Sequence, residues 1–287
     1  MQQDWRDVFF TSQDGLKLFA RDYGPQDSKP APVLCLAGLT RNSRDFQKVA
    51  SRLAKSRRVI VPDYRGRGLS EYAKDWQTYQ PHVEMADAIL LLDQLGIEKF
   101  AVIGTSRGGL ISMVMGQTIR QRLLGVVLND IGPKLEDEGL LRIAESINER
   151  KEIVSWQSLV DGLKKYSIGF SGLSQEDWLA FAHNLYRERH GKIEPDYDYN
   201  LTKTFPTVEF IQAGKIPEAW DLFATLKDLP MAVIRGENSD LLSIETVEKM
   251  EKAHPGLITA TVPNRAHVPF LDEPEAIEAI DSVLNAL

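Results

Sequence analysis

Val102-Ile103-Gly104-Thr105-Ser106-Arg107-Gly108-Gly109-Leu110 is the stretch from which the architecture of this chain is read. An apolar run at residues 100–103 enters it and a second apolar run at 110–115 leaves it. The first run is short and rich in β-branched residues, as a buried strand is; the second is apolar almost all round, as the most buried helix is. Between them stands Ser106, with glycine two positions away on each side. A serine at such a strand-to-helix corner sits on a turn so sharp that its backbone is strained and its Oγ projects above the sheet edge. A Cβ two positions to either side would collide across that turn, so glycine is needed at 104 and 108.

Outward from this corner, strands and helices alternate. Residues 5–10 and 16–23 are predicted strands joined through Asp14-Gly15, a strong hairpin signal. Residues 33–37 are apolar throughout and predict a strand buried on both faces. Phe46, Val49, Ala50 and Leu53 follow at helical spacing. A strand at 59–61, a helix at 84–95 closed by Gly96, and a strand at 126–128 continue the rhythm. It then breaks. Residues 133–226 offer only helix-like segments and hold Trp156, Trp178 and Trp220 of the chain's five tryptophans. Alternation resumes with strands at 231–234 and 258–262 and helices at 244–253 and 276–287. The expected organisation is a core over 1–132, a helical cap insertion over 133–226, and a second core part over 227–287. The sheet is then mostly parallel, with helices on both faces and an antiparallel edge from the first hairpin.

Composition narrows the partners. The chain has 287 residues and a net charge of −7, which argues against nucleic acid or an anionic membrane as the main partner. The basic cluster Lys55-Ser56-Arg57-Arg58 reads as a solvated helix end. Cys35 is the one cysteine, so a disulfide within the chain or a cysteine metal site is ruled out, and its apolar run predicts an inert buried thiol. No basic-then-apolar leader and no apolar run of membrane-spanning length is seen, so a cytoplasmic protein is the expectation. No cofactor and no metal is called for, and the oligomeric state is open.

Ligand crevices in such sheets lie beyond the carboxyl ends of the strands. Ser106, Asp240 and His267 each follow a strand at that edge, in that chain order. A serine hydroxyl needs a base to take its proton, and a carboxylate on the far imidazole nitrogen fixes the tautomer and stabilises the imidazolium. Of the five histidines, His82, His183, His190 and His254 fall in a polar loop, the insertion or a helix end, and His267 alone ends a core strand. For the carboxylate, Asp240 is preferred because its loop neighbours the His267 loop along the chain, with Asp130 as the alternative acid. Asp63 reads as structural. The oxyanion of a tetrahedral intermediate needs donors, and the backbone N–H groups of Arg107 and Leu39 are the candidates.

Together, Gly104-Thr105-Ser106-Arg107-Gly108-Gly109, Asp63-Tyr64-Arg65-Gly66-Arg67-Gly68-Leu69-Ser70, Gly236-Glu237-Asn238-Ser239-Asp240 and Ala266-His267 make the chain resemble the α/β-hydrolase superfamily of esterases, lipases and meta-cleavage-product hydrolases. The resemblance implies an eight-stranded α/β-hydrolase fold with a helical cap. It also implies attack of Ser106 on a carbonyl, an acyl-enzyme, and hydrolysis of a small carboxylic ester. Carbon–carbon cleavage or lactone hydrolysis with the same triad is the alternative, and a non-catalytic ligand-binding module the third reading. The family often has His-Gly at the oxyanion loop, where this chain has Ala37-Gly38. Serine at the elbow is unlike the aspartate of haloalkane dehalogenases and epoxide hydrolases. The cap should roof the site, with Trp156, Trp178, Phe181, Tyr186 and Trp220 as candidate substrate-lining residues. Arg41, Arg44 and Arg107 are cations that could meet an acidic substrate.

Overall fold

Asp14-Gly15 turns the chain back between β1 (Trp5–Thr11) and β2 (Lys17–Tyr23), which pair antiparallel. The computed structural model describes residues 4–149 and 152–287. After β2 come β3 (Val33–Leu36), α1 (Gln47–Leu53), β4 (Val59–Asp63), α2 (Pro81–Gln94), β5 (Phe100–Thr105), α3 (Arg107–Ile119) and β6 (Leu123–Asn129). The central segment carries α4 (Asp137–Asn148), α5 (Trp156–Tyr166), α6 (Gln175–Leu185), β7 (Tyr186–Arg189), β8 (Lys192–Pro195), α7 (Val208–Gln212) and α8 (Trp220–Ala224). The chain closes with β9 (Met231–Gly236), α9 (Ile244–Ala253), β10 (Ile258–Val262) and α10 (Pro274–Asn285).

The eight-stranded sheet runs β1-β2-β4-β3-β5-β6-β9-β10. β2 meets β4 antiparallel, and every later pairing is parallel. β3, β5 and β9 are buried at every residue, as apolar strands covered on both faces must be. Register brings the strand ends level: Leu36 pairs with Gly104, Thr105 with Asn129, and Asn129 with Ile234. The residues that follow those ends therefore share one rim.

The central segment departs from an all-helical insertion. β7 and β8 form an antiparallel hairpin turned by His190 and Gly191, both left-handed at φ 52° and 73°. That pair of angles suits a two-residue turn matching strand twist. The hairpin strands are charged and half-exposed, so no apolar alternation marks them. Leu140 and Ala144 of α4, Ile211 of α7 and Phe223 of α8 pack into the main core. α5 and α6 instead make a small core of their own from Leu159, Val160, Trp178 and Ala182.

The basic cluster also differs from expectation. Arg57 and Arg58 are buried, and Arg58 reaches both carboxylate oxygens of Asp22 on β2 at 3.0 Å. Two charged groups enter the interior together because each satisfies the other. Cys35 is buried on β3, and burial pushes its thiol far up. Among the described residues no helix is long and apolar enough to cross a membrane.

Candidate active site

Ser106 links β5 to α3 with φ 49° and ψ −110°, a backbone conformation that costs of order 1–3 kcal/mol. Hydrogen bonds hold it there. Its N–H donates to the Asn129 carbonyl at 3.1 Å, and its own carbonyl accepts from Gly109 and Leu110 at 2.9 and 3.1 Å. A Cβ on Gly104 would stand 2.5 Å from the Gly108 carbonyl oxygen, and one on Gly108 would overlap the Leu36 carbonyl. The glycines thus answer a clash with backbone, which cannot move aside.

His267 stands between a hydroxyl and a carboxylate. Its Nε2 lies 3.0 Å from Ser106 Oγ, and its Nδ1 lies 2.8 Å from Oδ2 of Asp130. Asp130 is fully buried directly after β6, at a left-handed φ of 52° that aspartate tolerates. Its carboxylate also accepts from the Gly236 N–H at 2.8 Å and the Ser239 hydroxyl at 2.6 Å. These donors orient the carboxylate, and nothing local in the sequence aims either of them at Asp130. Asn129 was missed as well: its amide donates to Thr105 Oγ1 and to the Pro269 carbonyl, tying the segment after His267 to the strand ends.

The preference for Asp240 is corrected by this geometry. Asp240 is held by Arg142 of α4, with Nε–Oδ2 2.5 Å and Nη2–Oδ1 2.7 Å. Burial alone would push its carboxyl up, and the Arg142 guanidinium outweighs that and holds it low. Chain proximity to the His267 loop misleads here because β6 lies between β5 and β9 in the sheet. Asp63 accepts from the Ser43 and Leu69 amides at 2.7 and 2.9 Å, a structural bracing of two loops.

The backbone N–H groups of Leu39 and Arg107 have no acceptor among the described residues. Arg107 begins α3, where amides lack partners within the helix and the dipole favours negative charge. The loop after β3 runs close to the serine: a Cβ built on Gly38 lies 4.0 Å from Ser106 Cβ. These two amides remain the candidate donors to an oxyanion on a carbonyl attacked by Ser106.

A cavity of about 290 Å³ adjoins the site, lined by Thr105 and Val268, the chain neighbours of Ser106 and His267. Its apolar wall includes Phe181 of α6 and Phe270, whose ring centroids are 5.6 Å apart. Of the five cap aromatics expected to line the site, Phe181 alone borders this cavity. Trp178 is buried in the α5–α6 core, against which Trp156 and Tyr186 also pack. Trp220 lies on the main core, against Phe223. These large apolar rings stabilise most by filling interiors, which decides their placement. The three arginines considered for an acidic substrate are all engaged: Arg41 with Asp45, Arg44 with Asp196 and Arg107 with Glu84. Among the described residues no group of three His, Cys, Asp or Glu side chains could hold a metal ion.

A family model described as alpha/beta hydrolase fold matches residues 31–274. A 3-hydroxybutyrate-oligomer hydrolase of Cupriavidus necator is 31% identical over 272 residues, covering 93% of this chain and 92% of that protein. A 2-hydroxymuconate semialdehyde hydrolase of a Pseudomonas species is 39% identical over 84 residues, 29% of each chain. Among solved structures, an alpha/beta hydrolase of Novosphingobium aromaticivorans superposes with a TM-score of 0.92 at 40% identity, covering 100% of both chains.

Proposed function

Because the chain belongs to the α/β-hydrolase fold family, we propose that this hydrolase cleaves carboxylic esters through an acyl-enzyme on Ser106. The observation that carries the proposal is the unbroken line of contacts from Ser106 Oγ through His267 to Asp130.

In this reading His267 Nε2 takes the Ser106 proton as Oγ attacks the ester carbonyl. The imidazolium that forms keeps its Nδ1–H on Asp130, whose negative charge stabilises it. The oxygen of the tetrahedral intermediate accepts from the amides of Leu39 and Arg107. Collapse passes the proton from His267 to the leaving alkoxide and leaves an acyl-serine. Water then attacks with His267 again as base, and the acid product departs with Ser106 restored.

The Cupriavidus relative supports a short hydroxyacid oligomer as the first substrate class to try, since each unit of such a chain is joined by a carboxylic ester. A cavity of about 290 Å³ is of the size that accommodates a small acyl group. Burst release of p-nitrophenol from p-nitrophenyl butyrate tests the reading, with Ser106→Ala as control. A wild-type burst that is lost in Ser106→Ala supports it, and equal rates in both overturn it. A panel of 3-hydroxybutyrate dimers and trimers, lactones and vinylogous diketones then ranks the bond cleaved.

A further inference from the structure

Glu84 of α2 is fully buried, and its carboxylate is shared by two guanidinium groups. Oε1 lies 2.7 Å from Arg67 Nη1, and Oε2 lies 2.8 Å from Arg107 Nε. Arg67, also fully buried, donates from Nε to the Leu39 carbonyl oxygen at 2.8 Å. Arg107 donates from Nη2 to the Tyr79 carbonyl at 3.0 Å. One carboxylate therefore grips both residues whose backbone amides are the candidate oxyanion donors: Arg107 through its own side chain, Leu39 through Arg67.

Two fully buried charges and a third that is largely buried are an expensive way to fill a protein interior, and apolar replacements of such clusters are often neutral or stabilising. Burial pushes the Glu84 carboxyl up, but the Arg67 and Arg107 guanidiniums outweigh it and hold it below the usual carboxylate range. The carboxylate is thus ionised at neutral pH, and each guanidinium keeps a fixed counter-charge. Two separate loops, one after β3 and one at the start of α3, are set by the same rigid group.

We propose that Glu84 is a positioning residue for the oxyanion site, holding the Leu39 and Arg107 amides at fixed separation through Arg67 and Arg107. The proposal rests on the serine-hydrolase reading above. Glu84 touches neither the nucleophile nor the base, so it acts only through the geometry of the donors. Loss of a whole oxyanion donor typically lowers turnover about 10²–10³-fold, and a donor displaced rather than deleted should lose less.

The test uses Glu84→Gln, which sets an amide N–H against one guanidinium, and Arg107→Met, which cuts the tether but keeps the backbone donor. Arg58→Met, which breaks the remote buried pair with Asp22, is the control for lost stability. Each variant is assayed for ester kcat and KM per folded molecule, for affinity toward a trifluoromethyl ketone, and for the rate of fluorophosphonate labelling at Ser106. We expect Glu84→Gln and Arg107→Met to lose about 10–10²-fold in kcat, with KM changed less than about threefold. Ketone affinity and labelling rate should fall in parallel, and Arg107→Lys should recover part of the loss. In Arg58→Met all three readouts should match wild type. Glu84→Gln and Arg107→Met within threefold of wild type in kcat and labelling would overturn the proposal, as would losses matched by Arg58→Met. A wild type that labels but turns over no ester defeats the ester reading alone, and the labelling ratios still judge Glu84. A wild type that neither labels nor turns over ester overturns both.

Discussion

Oδ2 of Asp130 lies 2.8 Å from Nδ1 of His267, although 137 positions of chain separate the two residues. Ser239 donates to the same oxygen and Gly236 to the other, so the carboxylate has a fixed orientation before any substrate arrives. Asp240, next in sequence to Ser239, pairs with Arg142 instead.

Exchanging each aspartate for asparagine separates the two. Asp130→Asn should lower kcat about 10²–10⁴-fold, because the amide cannot stabilise the imidazolium and favours the wrong tautomer. Asp240→Asn should stay within a few-fold of wild type. Steady-state kinetics on p-nitrophenyl butyrate decides it. A larger loss in Asp240→Asn would return the role to that residue.

At the elbow, Gly108→Ala sets a methyl group into the Leu36 carbonyl. Backbone cannot yield as a side chain would, so the variant should lose about 3 kcal/mol or more of stability. Urea denaturation of the wild type and variant reads this directly. A stability within 0.5 kcal/mol of wild type, roughly that of a neutral surface change, would contradict the steric account.

Phe181 offers a test of what the central segment contributes. Its ring meets Phe270 at 5.6 Å and Trp178 at 6.0 Å, and the Arg41 guanidinium lies over it at 4.5 Å. Phe181→Ala should raise KM about tenfold for butyryl and hexanoyl esters and less than threefold for acetyl. An equal change across the acyl series would mean that the ring does not meet the acyl chain.

The Arg142–Asp240 pair carries a pH dependence of stability. Burial raises the Asp240 carboxyl and Arg142 lowers it further than that, for a net downward shift. A carboxyl depressed in the folded state contributes fully above its unfolded value, about 3.9, and the contribution fades as pH falls through the lower folded value. The stability gap between wild type and Asp240→Asn should therefore be widest near neutrality and shrink below about pH 4. Urea titrations between pH 3 and 7 would show it, and a gap constant with pH would count against the pair.

Much of the molecule was legible because its requirements are local. The strand, turn and helix around Ser106 are written in adjacent residues, since glycine at 104 and 108 answers clashes within a few positions of the serine. Buried strands announce themselves by unbroken apolar runs, and His267 could be found as the histidine in the loop that follows the last strand, β10. The hairpin of β7 and β8 escaped because polar, half-exposed strands carry no apolar alternation, although His190-Gly191 marked the turn.

The partner of His267 and the charged cluster around Glu84 lay beyond such reading. Asp240 is closer to His267 in the chain, but strand order sets β6 directly beside β5, and that order delivers Asp130 to the imidazole. Glu84 looks in sequence like one more polar position on an amphipathic helix, yet the fold buries it against Arg67 and Arg107. Sterics over a few residues fix where a nucleophile turns outward. Which charge meets which depends on how strands far apart in the chain are laid side by side.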